Sequence, residues 1–173
     1  HTNALFGFLN IVKKHLDAQA PDYAIAAFDL SAPTFRHLRY EGYKATRRPT
    51  PEELKEQMPY ARDLASALGI CVLEREGFEA DDLLGTASAV AEQNGIESVL
   101  VTGDRDSLQL VSDKTTVMLC TTGADIAYTP AVFRENYEGL DPIRLVDLKA
   151  IAGDGSDNIP GVAGVGEKTA VKL

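Results

Sequence analysis

The sequence predicts an α/β fold in which a mostly parallel β-sheet is flanked by helices. The first observation is that short apolar runs, of the length of buried strands, alternate with segments of helical periodicity. The second is that these runs end at glycine or aspartate, as residues 23–28 do at Asp29 and residues 98–101 do before Gly103. This alternation is typical of βαβ units, whose connecting helices cover both faces of a parallel sheet.

The predicted elements follow the chain in order. Apolar residues recur at helical spacing from Leu5 to Leu16, which predicts an opening helix. The first strand is almost wholly apolar, so we expect helices to cover both of its faces. The predicted strands cover residues 23–28, 69–73, 98–101, 116–120 and 125–128, and the predicted helices cover residues 3–16 and 82–92, a segment that begins at Pro130, and residues 145–151.

At 173 residues the chain suits one globular domain, and its 45% apolar and 25% charged residues are usual for a soluble protein. It has no apolar run near the roughly 20 residues that a membrane span requires, and no signal-peptide pattern, so we expect no membrane partner and a cytoplasmic location. Cys71 and Cys120 lie in apolar runs, which favours buried, reduced thiols. The glycine-rich tail predicts a core over residues 1–140 and a small helical appendage over residues 141–173.

Eight acidic residues form four tight groups, most of them at the ends of predicted strands. Ligand sites of open α/β sheets form outside the carboxyl ends of the strands, so three groups are expected at one edge of the sheet. The fourth group lies in the tail and could fold over the same edge. The groups are Asp29; Glu79, Asp81 and Asp82; Asp104 and Asp106; and Asp154 and Asp157.

Carboxylates that lie close together raise one another's pKa values unless cations neutralise them. All-oxygen ligands suit Mg²⁺ or Mn²⁺, and two such ions about 3.5–4 Å apart would activate a water and stabilise the leaving oxygen of a phosphodiester. Taken alone, Asp81 and Asp82 could instead cap a helix, and Asp104 and Asp106 could belong to an ordinary polar loop. The four groups together favour a shared metal site.

The basic residues are concentrated in one segment, residues 34–54, where aromatic rings lie between them. Such a segment suits a nucleic-acid strand, whose phosphates need neutralising and whose bases can stack on rings. The alternative is a solvated loop and helix. Because the segment follows Asp29 directly, we favour nucleic-acid contact despite the net charge of −9. Its cations are Arg36, Arg39, Lys44, Arg47 and Arg48, and its aromatic residues are Phe35, Tyr40 and Tyr43.

The tail contains a glycine hairpin, IPGVAGVGEKT, over residues 159–169. Gly161, Gly164 and Gly166 permit a turn tight enough to bring backbone N–H groups onto a phosphate, and a helix start with Lys168 adds positive charge. A plain turn between helices explains these glycines equally well. Because the hairpin directly follows GDGSDN, we favour sequence-independent contact with a duplex backbone.

Five segments together resemble the 5′-nuclease superfamily, most closely the 5′–3′ exonuclease domains of bacterial DNA polymerases I. They are AAFD, TFRHLRYEGYKATRRPTPEEL, GFEADDLLGT, VTGDRDSLQL and IAGDGSDNIPGVAGVGEKTA, and the last two are highly specific in combination. The resemblance implies a PIN-like α/β core with a C-terminal helix–three-turn–helix appendage. It also implies Mg²⁺-dependent cleavage of 5′ flaps and of nicked or gapped duplex DNA in replication and repair, a downstream polymerase domain, and a place at the bacterial nucleoid.

The resemblance also implies roles for the residues already named. Lys44 resembles the lysine that meets the scissile phosphate, within a DNA-binding arch over residues 34–54. Residues 161–168 resemble the duplex-binding hairpin, which in the family often holds a K⁺ ion. The neighbouring arch positions are Arg36, Tyr43, Arg47 and Arg48. The implied catalytic metal ligands are Asp29, Glu79, Asp81, Asp82, Asp104 and Asp106, with Asp154 and Asp157 at the position of the second metal.

The chain departs from the family pattern at its start and at its end. The family begins with an apolar strand that ends in an aspartate of the metal site, whereas this chain starts at HTNA. Relatives also continue beyond the hairpin's second helix. We therefore expect a domain truncated at both ends, without one central strand and one carboxylate. Two other functions stay open: a non-catalytic protein that binds branched DNA, and a PIN-type ribonuclease.

Overall fold

The computed structural model describes residues 2–173, and His1, the first residue of the expected core, lies outside the described residues. None of the helices within this range combines the length and apolarity needed to cross a bilayer. Two 3₁₀ helices cover Arg105–Leu110 and Pro142–Arg144. The strands are β1 (Ile25–Ala27), β2 (Cys71–Leu73), β3 (Ser98–Thr102), β4 (Thr115–Leu119) and β5 (Ile126–Tyr128). The α-helices are α1 (Asn3–Gln19), α2 (Phe35–Arg39), α3 (Glu52–Lys55), α4 (Met58–Ala67), α5 (Ala80–Gln93), α6 (Pro130–Asn136), α7 (Leu145–Ala152) and α8 (Glu167–Ala170).

The chain divides into two compact units, each with its own small sheet. The first unit comprises the described part of His1–Phe35 together with Arg48–Leu83, and the second comprises Arg36–Arg47 and Leu84–Leu173. Strands β1 and β2 pair in parallel in the first unit. In the second unit β4 lies between β3, to which it is parallel, and β5, to which it is antiparallel. The predicted elements are therefore present, but their strands form two sheets.

The core of the first unit forms where α1 and α4 meet the two-stranded sheet. Phe28, Ala65 and Ile70 are buried in it, and the apolar stripe of α1 packs against them, as the helical spacing predicts. The N-terminus of α1 is satisfied by Gln57, whose Oε1 accepts hydrogen bonds from the backbone N–H groups of Ala4 and Leu5 at 3.1 and 3.2 Å. A long-range side chain thereby caps a helix whose own N-cap residue makes no such bond.

The expectation that β1 is covered on both faces is wrong. Successive side chains of a strand point to opposite faces, and Ala24, Ala26 and Phe28 lie in or against the core, whereas Ile25 is 45% exposed. The expectation of a buried thiol is also wrong for Cys71, which is exposed at the start of β2. Cys120 is partly buried, and Cys71 and Cys120 form no disulfide within residues 2–173.

Helix α4 was not predicted, although its apolar residues recur at helical spacing. The residues that it buries are Ala61 and Ala65, and the partly buried Met58 packs against the same core. Pro59 lies in its first turn, where the missing N–H costs nothing, although a proline inside a helical pattern usually argues against a helix.

The core of the second unit is larger and surrounds two aromatic residues, Phe133 in α6 and Tyr137 at its C-terminal end. Phe133 is fully buried and stacks on Tyr137 with ring centroids 4.3 Å apart. Leu108 from the first 3₁₀ helix and Val117 from the centre of β4 are also fully buried in this cluster. The alternating burial of β4 matches a strand with one face in the core.

Two glycines hold the tail against the end of α7. A Cβ atom built on Gly161 would lie 2.3 Å from the backbone carbon of Ala152, and one on Gly153 would lie 2.4 Å from the nitrogen of Gly161. Both contacts are with backbone atoms, so no side chain can move to relieve them. The N–H of Val162 donates to the carbonyl of Ile151 at 2.8 Å across this contact. Only glycine permits this approach at residues 153 and 161.

We expect Phe133→Ala to lower the free energy of unfolding by about 3–5 kcal/mol, because it opens a cavity at the centre of the second unit. Urea denaturation followed by circular dichroism measures the change. Ile143→Ala is the control, since that side chain is 66% exposed and its loss should cost less than about 0.5 kcal/mol. Equal effects of the two substitutions would contradict the assigned core.

We expect Gly161→Ala to destabilise the chain by about 1–3 kcal/mol, because the added methyl group overpacks a backbone contact. Gly166→Ala is the matched control within the same hairpin, since a Cβ at Gly166 meets nothing within 4 Å. Thermal unfolding of the two variants tests the difference, which should vanish if the close approach of Gly161 to α7 is not present in solution.

Candidate functional site

The first unit brings two of the predicted acidic groups together at the N-terminus of α5. Asp29 Oδ1 accepts a hydrogen bond from the N–H of Ala80, the first residue of α5, at 2.8 Å. Asp82 Oδ2 accepts from the N–H of Glu79 at 2.9 Å. Asp81 and Asp82 therefore belong to the first turn of the helix and do not precede it. The capping interpretation of Asp82 is confirmed, and carboxylates at this end also suit the helix dipole.

Arg62 in α4 positions the carboxyl end of β1. The sequence around Arg62 gave no sign of this role. Its Nη2 donates to the backbone carbonyl of Asp29 at 3.2 Å, and its guanidinium lies 5.2 Å from the ring centroid of Phe28. The same guanidinium forms an ion pair with Glu74, which follows β2. One arginine thus contacts the segments that follow both strands of the first unit, and this fixes the backbone from which the Asp29 side chain extends.

In the second unit Asp104 and Asp106 follow β3, as predicted. Asp104 Oδ1 accepts a hydrogen bond from the N–H of Asp106 at 2.9 Å, so Asp104 caps the 3₁₀ helix Arg105–Leu110. The polar-loop alternative is therefore correct in part, because one carboxylate oxygen of Asp104 has a structural role. Asp104 is exposed and Asp106 is partly buried.

A lysine that the sequence analysis did not single out joins two of the acidic groups. Lys149 Nζ in α7 lies 2.7 Å from Asp106 Oδ1 and 2.7 Å from Asp154 Oδ2. These two carboxylates, 48 positions apart in the sequence, therefore face a common point that is occupied by an ammonium group. The signal that could have revealed Lys149 is its place in the last turn of a helix that leads directly into GDGSDN.

The contact between Lys149 and Asp154 shifts the pKa values of these two groups in opposite directions. Burial alone would lower the pKa of Lys149, but its hydrogen bonds to Asp106 and Asp154 raise that pKa well above the usual value. Burial would raise the pKa of Asp154, but hydrogen bonds from Lys149 and Ser156 hold that pKa well below its usual range. Both groups are therefore charged across the physiological pH range.

The segment Asp154–Ile159, called here the acidic loop, is closed by hydrogen bonds of its own. The N–H groups of Asp154 and Ile159 donate to each other's carbonyl oxygens at 2.8 Å. Inside this bridge Asp154 Oδ1 accepts from the Ser156 N–H at 2.8 Å, the Ser156 hydroxyl at 2.7 Å and the Asp157 N–H at 3.3 Å. The Asp154 carboxylate is thus fixed by the loop that carries it.

Part of the basic segment contacts the acidic loop within the second unit. Arg47 Nη2 lies 2.5 Å from Asp157 Oδ1, and the N–H of Lys44 donates to the Asp157 carbonyl at 3.0 Å. The Tyr40 hydroxyl donates to the Asn158 carbonyl at 3.0 Å, and Asn158 Nδ2 donates to the Gly42 carbonyl at 2.8 Å. Basic residues of the segment therefore lie beside the fourth acidic group, a contact that the sequence did not specify.

The individual arch residues differ in exposure. Tyr43 is buried and packs edge-on against His37, so its ring is not exposed for base stacking, and that part of the expectation is corrected. Lys44 Nζ lies 4.9 Å from the centroid of the Tyr43 ring. The backbone of Lys44 is left-handed, with φ of 56°, which is uncommon for residues other than glycine. Arg48 is exposed and Arg36 is partly buried.

The three hairpin glycines serve different purposes. Gly161 is required by its contact with α7, and Gly164 has a φ of 79°, so the turn itself requires glycine there. Gly166 has an extended backbone and precedes the first residue of α8. Lys168 in α8 is exposed and forms no ion pair with any residue from 2 to 173. The plain-turn alternative thus accounts for Gly161 and Gly164, and Ala163, Gly164 and Gly166 are exposed.

The donor set at Lys149 fits a hard divalent cation. Asp106 and Asp154 present carboxylate oxygens to the same positively charged group, and oxygen ligands are those that Mg²⁺ and Mn²⁺ prefer. Within either unit, no three of the predicted acids among the described residues place oxygens within 4.8 Å of one another. A bound Mg²⁺ would therefore keep several waters or take substrate oxygens, as Mg²⁺ commonly does.

Two family models together match nearly the whole chain. The 5′–3′ exonuclease N-terminal resolvase-like domain matches residues 1–138, and the 5′–3′ exonuclease C-terminal SAM fold matches residues 140–173. Among curated relatives, DNA polymerase I of Bacillus subtilis is 48% identical over 175 residues, and that of Bacillus caldotenax is 50% identical. All of this chain is aligned in both cases, but it spans only 20% of the length of either relative.

Solved structures confirm the predicted fold class. The T5 D15 protein co-crystallised with metal ions superposes with a TM-score of 0.80 at 26% identity, over 94% of this chain and 64% of that chain. The catalytic core of Rad2 in complex with DNA substrate gives a TM-score of 0.61 at 18% identity, over 97% of this chain and 50% of that one, and so shows the fold alone. With an α/β fold of the PIN-like type and both family models matched in order, the chain belongs to the 5′–3′ exonuclease family.

Proposed function

We propose that this chain is a divalent-metal-dependent nuclease that hydrolyses phosphodiesters of branched or nicked duplex DNA, as a 5′–3′ exonuclease and flap endonuclease. The observation that carries the proposal is the convergence of Asp106 and Asp154 on one cationic point, beside a basic segment joined to the same acidic loop. Acidic ligands and phosphate-binding cations are the two components that metal-assisted phosphodiester hydrolysis requires. The similar T5 D15 protein was co-crystallised with metal ions, which supports a divalent metal here.

The metal ligands in this proposal are the eight acidic residues named from the sequence. Bound Mg²⁺ or Mn²⁺, two ions in all, would supply an activated water and charge stabilisation for the leaving oxygen. The protein's part is to hold the carboxylates in place, through the α5 cap at Asp29 and the acidic loop at Asp154. The ligands are Asp29, Glu79, Asp81, Asp82, Asp104, Asp106, Asp154 and Asp157.

The basic segment and the glycine hairpin would bind the DNA backbone. Lys44 would meet the scissile phosphate, with the buried Tyr43 ring supporting its side chain and Arg36, Arg47 and Arg48 neutralising neighbouring phosphates. Within residues 2–173, the N–H groups of Ala163, Gly164 and Gly166 donate to no backbone acceptor. These N–H groups and Lys168 suit contacts with the phosphates of a duplex, which carry no base specificity. A K⁺ ion at this hairpin stays a prediction.

The same proposal covers the organisation of the protein. The nuclease core would span residues 1–140, with the arch at residues 34–54, and residues 141–173 would begin the duplex-binding region. The relatives of which this chain spans a fifth are DNA polymerases I, which supports a downstream polymerase domain, roles in DNA replication and repair, and a cytoplasmic location at the nucleoid.

One observation favours a second function, a non-catalytic protein that binds branched DNA. Lys149 neutralises Asp106 and Asp154 without any metal, so their proximity alone does not demand a catalytic ion. Such a protein would bind a 5′ flap and leave it intact.

We expect the full-length protein to cleave a 5′-flap DNA substrate in Mg²⁺ or Mn²⁺. Asp104→Asn should reduce the cleavage rate by more than about 100-fold, because the loss of a direct metal ligand should cost more than the loss of a residue that only hydrogen-bonds to a ligand. Gel analysis of end-labelled flap measures the rate. Asp113→Asn, which removes an exposed carboxylate outside the four groups, is the control and should leave the rate unchanged. Flap binding with no product in Mn²⁺ would favour the non-catalytic function, and faster cleavage of a matched RNA flap would favour a ribonuclease.

Asp29 allows its structural and chemical roles to be separated. We expect Asp29→Ala to lower stability by about 1 kcal/mol, because the N–H of Ala80 loses its acceptor. Asp29→Asn keeps an acceptor oxygen and should unfold like the wild type, yet it should lose flap cleavage because it removes a metal-binding charge. Thermal melting and flap cleavage of both variants are compared. An active Asp29→Asn protein would remove Asp29 from the metal ligands.

A further inference from the structure

We infer that Lys149 is a built-in counter-ion that competes with the divalent cation for Asp106 and Asp154, and so sets the metal affinity of the protein. The inference rests on the proposed function, since it concerns the same carboxylates. It goes further in assigning a role to a residue that the metal-site motifs do not include. In this role Lys149 is a positioning residue, because it acts through the carboxylates.

The first step is geometric. The Lys149 ammonium lies 2.7 Å from one oxygen of Asp106 and 2.7 Å from one oxygen of Asp154. Asp106 and Asp154 would hold a divalent cation through the same oxygens that now face the ammonium, so such an ion would need the place that the Lys149 amine fills. The amine and such an ion exclude each other, so metal binding requires Lys149 to leave.

The second step concerns what holds Asp154 when no metal is bound. Its side chain is only 12% exposed, and a carboxylate withdrawn from water to that degree needs a charged or hydrogen-bonding partner. The acidic loop supplies three donors to Oδ1, and Lys149 supplies the partner of Oδ2. Removing the amine therefore leaves one oxygen of Asp154 without its ion pair in the metal-free protein.

The third step is that Lys149 is able to leave. Its side chain is 40% exposed, and the ammonium is carried on a flexible four-carbon stem from the last turn of α7. Rotation of this stem moves the charge into solvent without disturbing the α7 backbone, whose end is fixed by the Gly153–Gly161 contact. The protein thus exchanges an internal monovalent cation for an external divalent one.

The exchange links metal affinity to the lysine contact, because two ligands that exclude each other reduce each other's affinity. Lys149→Met keeps the apolar stem and deletes the charge. We expect its affinity for Mn²⁺ alone, titrated without DNA by calorimetry, to rise about fivefold or more. In EDTA its melting temperature should fall below that of the wild type, and saturating Mn²⁺ should raise its melting temperature by more than it raises that of the wild type. Lys149→Arg, which keeps the charge, should stay near the wild-type affinity.

Lys172→Met is the matched control, since it removes an exposed lysine of the same unit that lies outside the acidic groups. It should change neither the Mn²⁺ affinity nor the melting temperature. A measurement on the unaltered full-length protein does not depend on how the variants fold. Acetylation of Lys149, followed by mass spectrometry, should become faster in saturating Mn²⁺ because the amine is released. A Lys149→Met affinity equal to the wild type, or acetylation that Mn²⁺ slows or leaves unchanged, would overturn the inference.

These outcomes separate the inference from the proposed function. If the wild-type protein binds Mn²⁺ and cleaves flap DNA but Lys149→Met shows no gain in Mn²⁺ affinity, the counter-ion role is wrong and the nuclease function stands. Wild-type protein that neither binds Mn²⁺ nor cleaves sinks both. A gain in Mn²⁺ affinity in a protein that never cleaves keeps the counter-ion role and supports the non-catalytic function.

Discussion

The contact between Lys149 and two carboxylates is the interaction on which the organisation of the second unit's acidic residues depends. Carboxylates at close range repel one another, and their repulsion grows as they are withdrawn from water. The protein limits this repulsion with cations drawn from its own chain, Lys149 at Asp106 and Asp154 and Arg47 at Asp157. A cluster of acids that would otherwise require an ion to form can therefore be assembled during folding, before any metal arrives.

The backbone around this cluster is fixed by contacts that tolerate little change. Gly153 and Gly161 bring the two ends of the acidic loop together against α7, and the Asp154–Ile159 bridge closes the loop between them. A metal site needs its ligands held within a fraction of an ångström, and rigid support from neighbouring backbone is the usual means of achieving this. The glycines that resemble a phosphate-binding motif thus also serve the acidic residues, by holding the loop that carries Asp154.

Much of the fold was predictable because its signals are local. The strands, helix α5 and the tail were predicted from apolar periodicity and from the positions of glycine, proline and aspartate. The predicted fold class is confirmed. Helix α4 was missed because Pro59 near its start argued against a helix, and the exposure of Ile25 was missed because burial depends on which elements pack against the face of a strand. The division of the strands into two sheets is likewise a tertiary property.

The candidate site shows the same division between local and distant information. Capping by Asp82 and Asp104 is a contact between near neighbours and was among the alternatives drawn from the sequence. The partners Lys149, Arg62 and Asn158 were not identified, because a cation or amide has no motif of its own until folding brings it to a distant carboxylate or carbonyl. The contact of Arg47 with the acidic loop and the burial of Tyr43 were likewise not specified by the sequence.

The left-handed backbone of Lys44 has a consequence for attempts to stabilise this protein. A side chain in that conformation costs about 1–2 kcal/mol relative to the ordinary helical region, and glycine would remove the cost. A search for more stable variants would therefore select Lys44→Gly, together with the loss of the one amine assigned to the scissile phosphate. Under the proposed function, a variant with a higher melting temperature at this turn would lose its contact with the phosphate, so screening by melting temperature alone would select against activity.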